Sequence, residues 1–374
     1  LSVALVAGVL AASGGVADAG TRQSGAAALT TPPALLPAGK TYTVTLLTGD
    51  VVTVHTRASG CPVVSVKPAR PSGVLRRGCG PDGRVRVVPG DVAHLLGDVY
   101  DEALFDVTTL ITEGYDDARA KELPLIVRPG TARAASTFAA GLRGKRNLAS
   151  IGAVAGRQPK GQRAELPATG GGKVWLDHKV RATSLTNAGA KIDGNLTQVS
   201  APRAWATGYT GTGTTVAVLD TGVDTTHPDL AGKVAEKKDF TVEGGDAVDG
   251  HGHGTHVAAT IGGSGAAARG ERRGVAPGAT LLAGKVLDDE GYGTDSSVIA
   301  GMEWAAPRAD VVNLSLGGYD PSDGSDPMSQ ALDALTDEHG TLFVVAAGND
   351  GPYDRIITAP AGAPPALSRG AGGG

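Results

Sequence analysis

Four stretches of this chain hold residue types at positions where chemistry is commonly done. Asp220 directly follows the apolar run Val216-Ala217-Val218-Leu219. His253 stands in Asp249-Gly250-His251-Gly252-His253-Gly254-Thr255-His256-Val257-Ala258, a glycine-rich lead into a helix. Asn313 and Ser315 close the run 311–316, and Asn349 follows the run 342–347 through Gly348. A carboxylate, an imidazole and an amide are groups that acid–base catalysis and charge stabilisation draw on. Singly, each has a plainer role: an Asp after a strand as a turn residue or helix cap, an Asn beside Gly in a turn, a lone His in packing. Their shared placement at strand ends sets them apart, because ligands of open parallel sheets bind beyond the carboxyl ends of the strands.

The elements that must position these residues can be read from periodicity. Strands are predicted at 216–219, 281–287, 311–316 and 342–347, each a short apolar run of the kind buried on both faces of a parallel sheet. Helices are predicted to begin at His256, to run from Thr294 to Ala306 with Pro307 as the stop, and to run from Pro327 to His339 with Gly340 at the end. Strands alternating with helices imply βαβ units, right-handed crossovers and an α/β doubly wound parallel sheet.

The quoted residues carry a resemblance. Asp220-Thr221-Gly222-Val223-Asp224 with His227-Pro228-Asp229-Leu230 resembles the aspartate motif of the subtilisin-like serine peptidases of the secreted bacterial type. His253-Gly254-Thr255-His256-Val257-Ala258 resembles their histidine motif, Asn313-Leu314-Ser315-Leu316-Gly317-Gly318 their substrate-binding strand, and Ala346-Ala347-Gly348-Asn349 their oxyanion-hole segment. The resemblance implies that Asp220 orients the His253 imidazole and that His253 is the general base, with Asn349 the oxyanion donor. Ser315, Leu316 and Gly317 would offer an edge strand to an extended polypeptide substrate, and Gly317 and Gly318 would leave room for its side chains. His256 would be a packed helix residue. No cofactor is required for that chemistry. The family leaves room for structural calcium: Asp229 matches one ligand position, whereas the 262–273 loop is poor in oxygen-bearing side chains. The stretch Glu303–Asp310 is a few residues shorter than the family pattern, which leaves the helix–strand turn there open.

The same resemblance calls for a nucleophile in a Gly-Thr-Ser-x-Ala-Ala-Pro stretch after Asn349. None is present in the 374 residues; the only later serine is Ser368, in a context that does not activate a hydroxyl. The pattern is expected to hold to Pro360-Ala361-Gly362 and to give way around Pro364-Pro365 to low-complexity sequence, as after a frameshift or premature stop. The expectation is a domain truncated before its serine, inactive and prone to aggregate as it stands.

The chain before residue 190 differs in character. Residues 1–12 are an apolar run too short to span a membrane, followed by the small-x-small triplet Ala17-Asp18-Ala19, so residues 1–19 are expected to be the back half of a secretory signal peptide. Residues 20–180 are expected to be a small β-rich α+β segment with a linker at 20–38, two strands within 41–55 turning at Gly49-Asp50, strand-like pieces at 84–88 and 124–128, and a loose connector over 129–172. No grouping of His, Asp, Glu or Ser in a catalytic pattern is visible within it. By the resemblance it is the chain's own propeptide, and 173–180 the part that enters the cleft of the peptidase domain, residues 190–374. Cys61 and Cys79, the only cysteines, are expected to pair in an exported chain.

Charge is uneven: 21 Lys+Arg against 14 Asp+Glu over residues 1–180, and 13 against 24 over 181–374, a split compatible with docking of the two parts. The net charge of −4 gives no reason to expect nucleic-acid binding or a polybasic membrane surface. A secreted, extracellular monomer, membrane-free after processing, is the expectation. Three rival readings stand beside it. His251, His253 and His256 match the spacing of a zinc hydrolase motif, with Thr255 where that motif has Asp. Gly208, Gly211 and Gly213 suggest a dinucleotide loop but precede the strand that such a loop must follow. A peptide-binding pseudoenzyme without catalysis would also lack the serine.

Overall fold

The computed structural model describes residues 36–70, 75–80, 82–130, 133–161, 172–183, 193–270, 272–349 and 357–369. The expected signal peptide and most of the expected linker lie outside them.

The N-terminal part is built from three small antiparallel sheets. Strands β1 (Thr41–Thr45), β2 (Val51–His55) and β3 (Val63–Lys67) form the first, with Gly49 at φ +87° in the tight turn between β1 and β2. A positive φ at that turn suits a residue without a Cβ. Strands β4 (Leu75–Cys79) and β5 (Val85–Pro89) pair as a hairpin, and the Cys61–Cys79 disulfide ties it to the first sheet. Helix α1 (Val107–Thr112), strand β6 (Glu122–Arg128), helix α2 (Arg133–Gly141) and strands β7 (Arg143–Leu148), β8 (Ala153–Pro159) and β9 (Lys173–Leu176) complete it, the third sheet having the order β7-β8-β6-β9. The expected loose connector is therefore mostly ordered: 133–159 holds a helix and two strands, and only 131–132 and 162–171 fall outside the described residues. Arg, Gly and Ala hide the strands because β7 is exposed on most of its length and has little apolar alternation to show.

Strand β10 (Lys179–Ala182) and helices α3 (Asp193–Gln198) and α4 (Ala201–Ala206) lead into the second part. There follow β11 (Thr215–Asp220), β12 (Val234–Asp239), α5 (His253–Gly262), β13 (Thr280–Lys285), β14 (Tyr292–Thr294), α6 (Asp295–Ala305), β15 (Val311–Leu314), β16 (Leu316–Gly317), α7 (Pro327–His339), β17 (Leu342–Ala346) and β18 (Leu367–Arg369). Six of these strands form one parallel sheet, β12-β13-β11-β15-β17-β18. The period of two along β11 splits its side chains between two cores. Val216 and Val218 join Val223, Leu230, Ala258 and Leu281 on the α5 face, whereas Ala217 and Leu219 join Val298, Met302, Val312 and Leu332 on the α6–α7 face. Both helices of the latter face begin with caps readable in the sequence: Thr294 and Ser297 form a capping box on α6, and Asp326 accepts from the Ser329 amide on α7. The short turn after α6 closes on its own backbone, with the Arg308 and Ala309 amides donating to the Ala305 carbonyl.

Residues 367–369 are not a low-complexity tail. They pair in parallel with Val344–Ala346 as an edge strand of the main sheet.

The two parts share a core. Along β6, Leu125 and Val127 face the N-terminal core, but Ile126 points the other way and joins Leu148, Ile151 and Trp175 against α6 and α7. Polar contacts rim this packing. Glu303 accepts from the Ser150 amide and hydroxyl, both at 2.7 Å, and the Asp177 carboxylate accepts from the Ser296 amide (2.9 Å) and hydroxyl (2.8 Å). Arg84 bridges to Asp320. The basic N-terminal part thus meets the acidic C-terminal part through at least one ion pair and several hydrogen bonds. No described helix is long and apolar enough to cross a membrane.

Candidate active site

The carboxyl edge of the main sheet brings Asp220 and His253 together. Asp220 is the last residue of β11 and has no solvent exposure. His253 is the first residue of α5, and its Nδ1 lies 2.7 Å from Asp220 Oδ1. Two glycines permit this approach. Gly222 has φ +105°, and a Cβ there would meet the Ala247 carbonyl oxygen at 2.6 Å; a Cβ on Gly254 would meet the Gly222 carbonyl oxygen at 2.2 Å. Any side chain at either position would push the first turn of α5 off the Asp220 loop. Burial pulls the His253 pKa down, but the hydrogen bond to Asp220, the Asp220 charge and a hydrogen bond to the Thr183 carbonyl outweigh it, and the net shift is upward.

The predicted substrate strand is paired within the chain. Leu316 and Gly317 pair with β10 of the same chain, Arg181 opposite Gly317 and Ala182 opposite Leu316. On its other side β10 pairs with β14, Lys179 opposite Thr294 and Arg181 opposite Tyr292. The Ala182 amide donates to the Gly291 carbonyl at 3.0 Å and the Thr183 amide to the Ser315 carbonyl at 2.9 Å. The strand therefore lies in the cleft like an extended peptide, with its Thr183 carbonyl on the imidazole of His253. Val180 is fully buried, and Arg181 stacks over the Tyr319 ring at 4.9 Å. The expected cleft segment 173–180 needs correction. Residues 173–176 are β9, paired with β6 in the N-terminal sheet, and the groove strand is 179–182. Gly318 does leave open space, whereas a Cβ on Gly317 would meet Thr358 Oγ1 at 2.6 Å.

Asn349 lies just past β17, exposed, after Gly348 at φ +102°. Asn313 donates through its amide to the Ser315 hydroxyl at 3.0 Å. Ser368 donates to the Ala361 carbonyl within the edge of the sheet. His256 is exposed, not packed, because its position on α5 faces away from the sheet. His251 is exposed as well, its ring 6.2 Å from that of His253 and edge-on to it. Among the described residues there is no group of three or more His, Cys, Asp or Glu able to hold a metal. Asp229, the position matched to a calcium ligand, accepts the Ala267 amide at its Oδ1 at 2.7 Å.

Sequence reasoning missed three groups around the site. The first is the β14 edge, three residues too short for a period to register. The second is Lys285, buried, donating to the Thr221 carbonyl (2.6 Å) and to Asp289 (2.7 Å). The third is a cluster over the groove strand assembled from three distant positions: His178 Nδ1 lies 2.7 Å from Glu113, and Nε2 lies 3.7 Å from Asp101. Burial pulls the His178 pKa down, but Glu113 and Asp101 outweigh it and hold it well above the usual range. Tertiary folding therefore groups ionisable residues in the N-terminal part, although no local pattern announces it.

Residues 211–371 match the model of the subtilase family, past the point where the sequence pattern was expected to give way. The chain is 40% identical over 196 residues to the minor extracellular protease Vpr of Bacillus subtilis, covering 48% of this chain and 23% of that protein. It is 43% identical over 162 residues to the major intracellular serine protease of the same organism, covering 42% of this chain and 49% of the other. Among solved structures it resembles fervidolysin from Fervidobacterium pennivorans, a keratinolytic enzyme related to subtilisin, with TM-score 0.51 and 27% identity over 66% of this chain and 42% of that one. The chain thus spans half or less of the length of these relatives.

Proposed function

We propose that this chain, whose residues 211–371 match the model of the subtilase family, is a secreted serine endopeptidase precursor carrying its own propeptide. Asp220 holds the Nδ1–H of His253 and stabilises the imidazolium; His253 takes the proton of a serine hydroxyl as it attacks the peptide carbonyl and returns it to the leaving amine. Asn349 donates to the developing oxyanion, and Ser315, Leu316 and Gly317 bind the extended polypeptide substrate. The N-terminal part through Thr183 is the propeptide, and its last strand blocks the groove until cleavage after Thr183.

One observation carries this reading. A buried Asp–His pair faces the Thr183 carbonyl of a strand bound along 316–317 in the manner of a substrate. A peptide-binding protein without catalysis is the second reading. It is favoured by one feature: the strand 316–317 is paired with a strand of this chain, as a peptide-binding edge would be.

The experiment is to sequence the coding DNA beyond Gly374 in all three frames and to express the product with and without His253→Ala. A Gly-Thr-Ser-x-Ala-Ala-Pro stretch and casein hydrolysis blocked by serine reagents, lost in His253→Ala, support the peptidase. A product without that stretch and without hydrolysis leaves the binding protein.

A further inference from the structure

The Asp–His pair needs something to hold its two halves in register, since they come from different elements separated by 33 residues. The carboxylate of Asp249, just before α5, collects five donors. Oδ1 accepts from the Thr221 hydroxyl (2.8 Å), the His251 amide (3.0 Å) and the Gly252 amide (2.8 Å); Oδ2 accepts from the Thr255 amide (2.8 Å) and hydroxyl (2.6 Å). Two of these, the Gly252 and Thr255 amides, are backbone donors at the N-cap and first turn of α5, which have no intrahelical partner.

The two hydroxyls do more than fill a shell. Each donates its proton to Asp249 and uses a lone pair to accept a backbone amide from the facing segment. Thr221, on the Asp220 loop, accepts the Gly254 amide of α5 at 2.9 Å; Thr255, on α5, accepts the Asp224 amide of the loop at 2.9 Å. The carboxylate therefore sets the rotation of both hydroxyls, and the hydroxyls stitch the loop to the helix at the two residues directly after His253. Lys285 and Asp289 reinforce the same turn, since Lys285 binds the Thr221 carbonyl and Asp289 accepts the Gly250 amide at 3.2 Å.

We propose that Asp249 is the positioning residue of the Asp220–His253 pair, acting through Thr221 and Thr255 as paired hydroxyl bridges. This rests on the reading of His253 as the base. An Asn at 249 has one acceptor oxygen where the carboxylate has two, so its amide would face a donor and at least one bridge must turn away. Its neutral charge also withdraws support from the imidazolium.

The test uses the 374-residue chain labelled with ¹⁵N at histidine, and reads the His253 imidazole by NMR across pH. In the unaltered chain a protonated Nδ1 hydrogen-bonded to a carboxylate gives a far-downfield proton, and Asp220→Asn abolishes it; absence of that signal in the unaltered chain would overturn the Asp–His reading itself. Asp249→Asn is expected to lower the His253 titration midpoint by roughly half a pH unit or more and to broaden or lose the downfield proton. Thr221→Val, which keeps every charge, is expected to weaken the same proton, and Thr221→Ser to restore it. Should Asp249→Asn not fold, the Thr221 pair decides. A downfield proton and midpoint unchanged in folded Asp249→Asn, or unchanged in Thr221→Val, would overturn the proposal while leaving the Asp–His reading intact.

Discussion

Replacing Val180 by alanine measures how firmly the groove strand is held. Val180 is fully buried in the cluster it shares with Leu287, Val298 and Leu316. The substitution removes two methyl groups, each worth about 0.8 kcal/mol of burial. The residual cavity brings the loss to about 2 kcal/mol. If 178–183 lifts from the groove as a local unit while the main sheet stays folded, the whole loss appears in that opening equilibrium, a factor of about 30. The assay is amide hydrogen exchange at Ala182 and Thr183, whose amides donate to Gly291 and Ser315. Their exchange should accelerate about 30-fold in Val180→Ala, with little change at Ala217 and Val218 in β11. Unchanged exchange at 182 and 183 would show that the side chain does not hold the strand. Equal acceleration in β11 would show that the strand opens only when the whole molecule unfolds. Either result refutes the reasoning.

Other outcomes follow from the same contacts. Because the His178 pKa is raised in the folded state, its contribution is fully present below its unfolded value and is lost as pH rises through the folded one. Burial raises the carboxyls of Asp177 and Asp295 at the same junction, so they push the same way. Exchange at Ala182 and Thr183, corrected for the intrinsic pH dependence, should therefore increase toward alkaline pH, and Glu113→Gln should move that increase to lower pH. Reduction of the Cys61–Cys79 disulfide, 18 residues apart, is expected to cost about 3 kcal/mol by the chain-entropy argument, read as a lower denaturant midpoint for the N-terminal part. In a product that carries the nucleophile, Asp220→Asn should lower kcat by about 10⁴ and loss of the Asn349 amide by about 10²–10³, magnitudes characteristic of such triads and oxyanion donors. N-terminal sequencing of that product should find the cut immediately after Thr183; a cut elsewhere would displace Thr183 from the position that faces His253.

The parallel sheet was legible because a strand buried on both faces must be apolar throughout, as Val216–Leu219 is; Leu342–Ala346 is as apolar, although Leu342 is 43% exposed and only Phe343 and Val345 are fully buried. Helix α7 was legible to the residue, since Pro327 and Gly340 act locally through a missing N–H and a left-handed φ of 69°. Asp220 and His253 were legible as a candidate pair because their motifs resemble those of a known family, and the glycines beside them allow the close approach the structure shows. The edge strand 367–369 was missed because three residues between Gly and Pro carry no period and owe their conformation to β17 alongside. Strands β7 and β8 were missed for a related reason, since most of their apolar partners are supplied by β6 and α6.

By itself, the order of residue types along the chain determined the central strands and the capped helices of the second part, and which ionisable groups reach the sheet edge. Those outcomes depend on backbone geometry and burial within a few residues. Only the tertiary structure decided that Lys179–Ala182 lies between β14 and β16, that His178 meets Glu113 and Asp101, and that one carboxylate at Asp249 joins the Asp220 loop to the His253 helix. Each of these joins residues far apart in sequence through hydrogen bonds of about 3 Å. No local propensity encodes such distances; they exist only once the two cores have packed and set the separation of the elements that carry them.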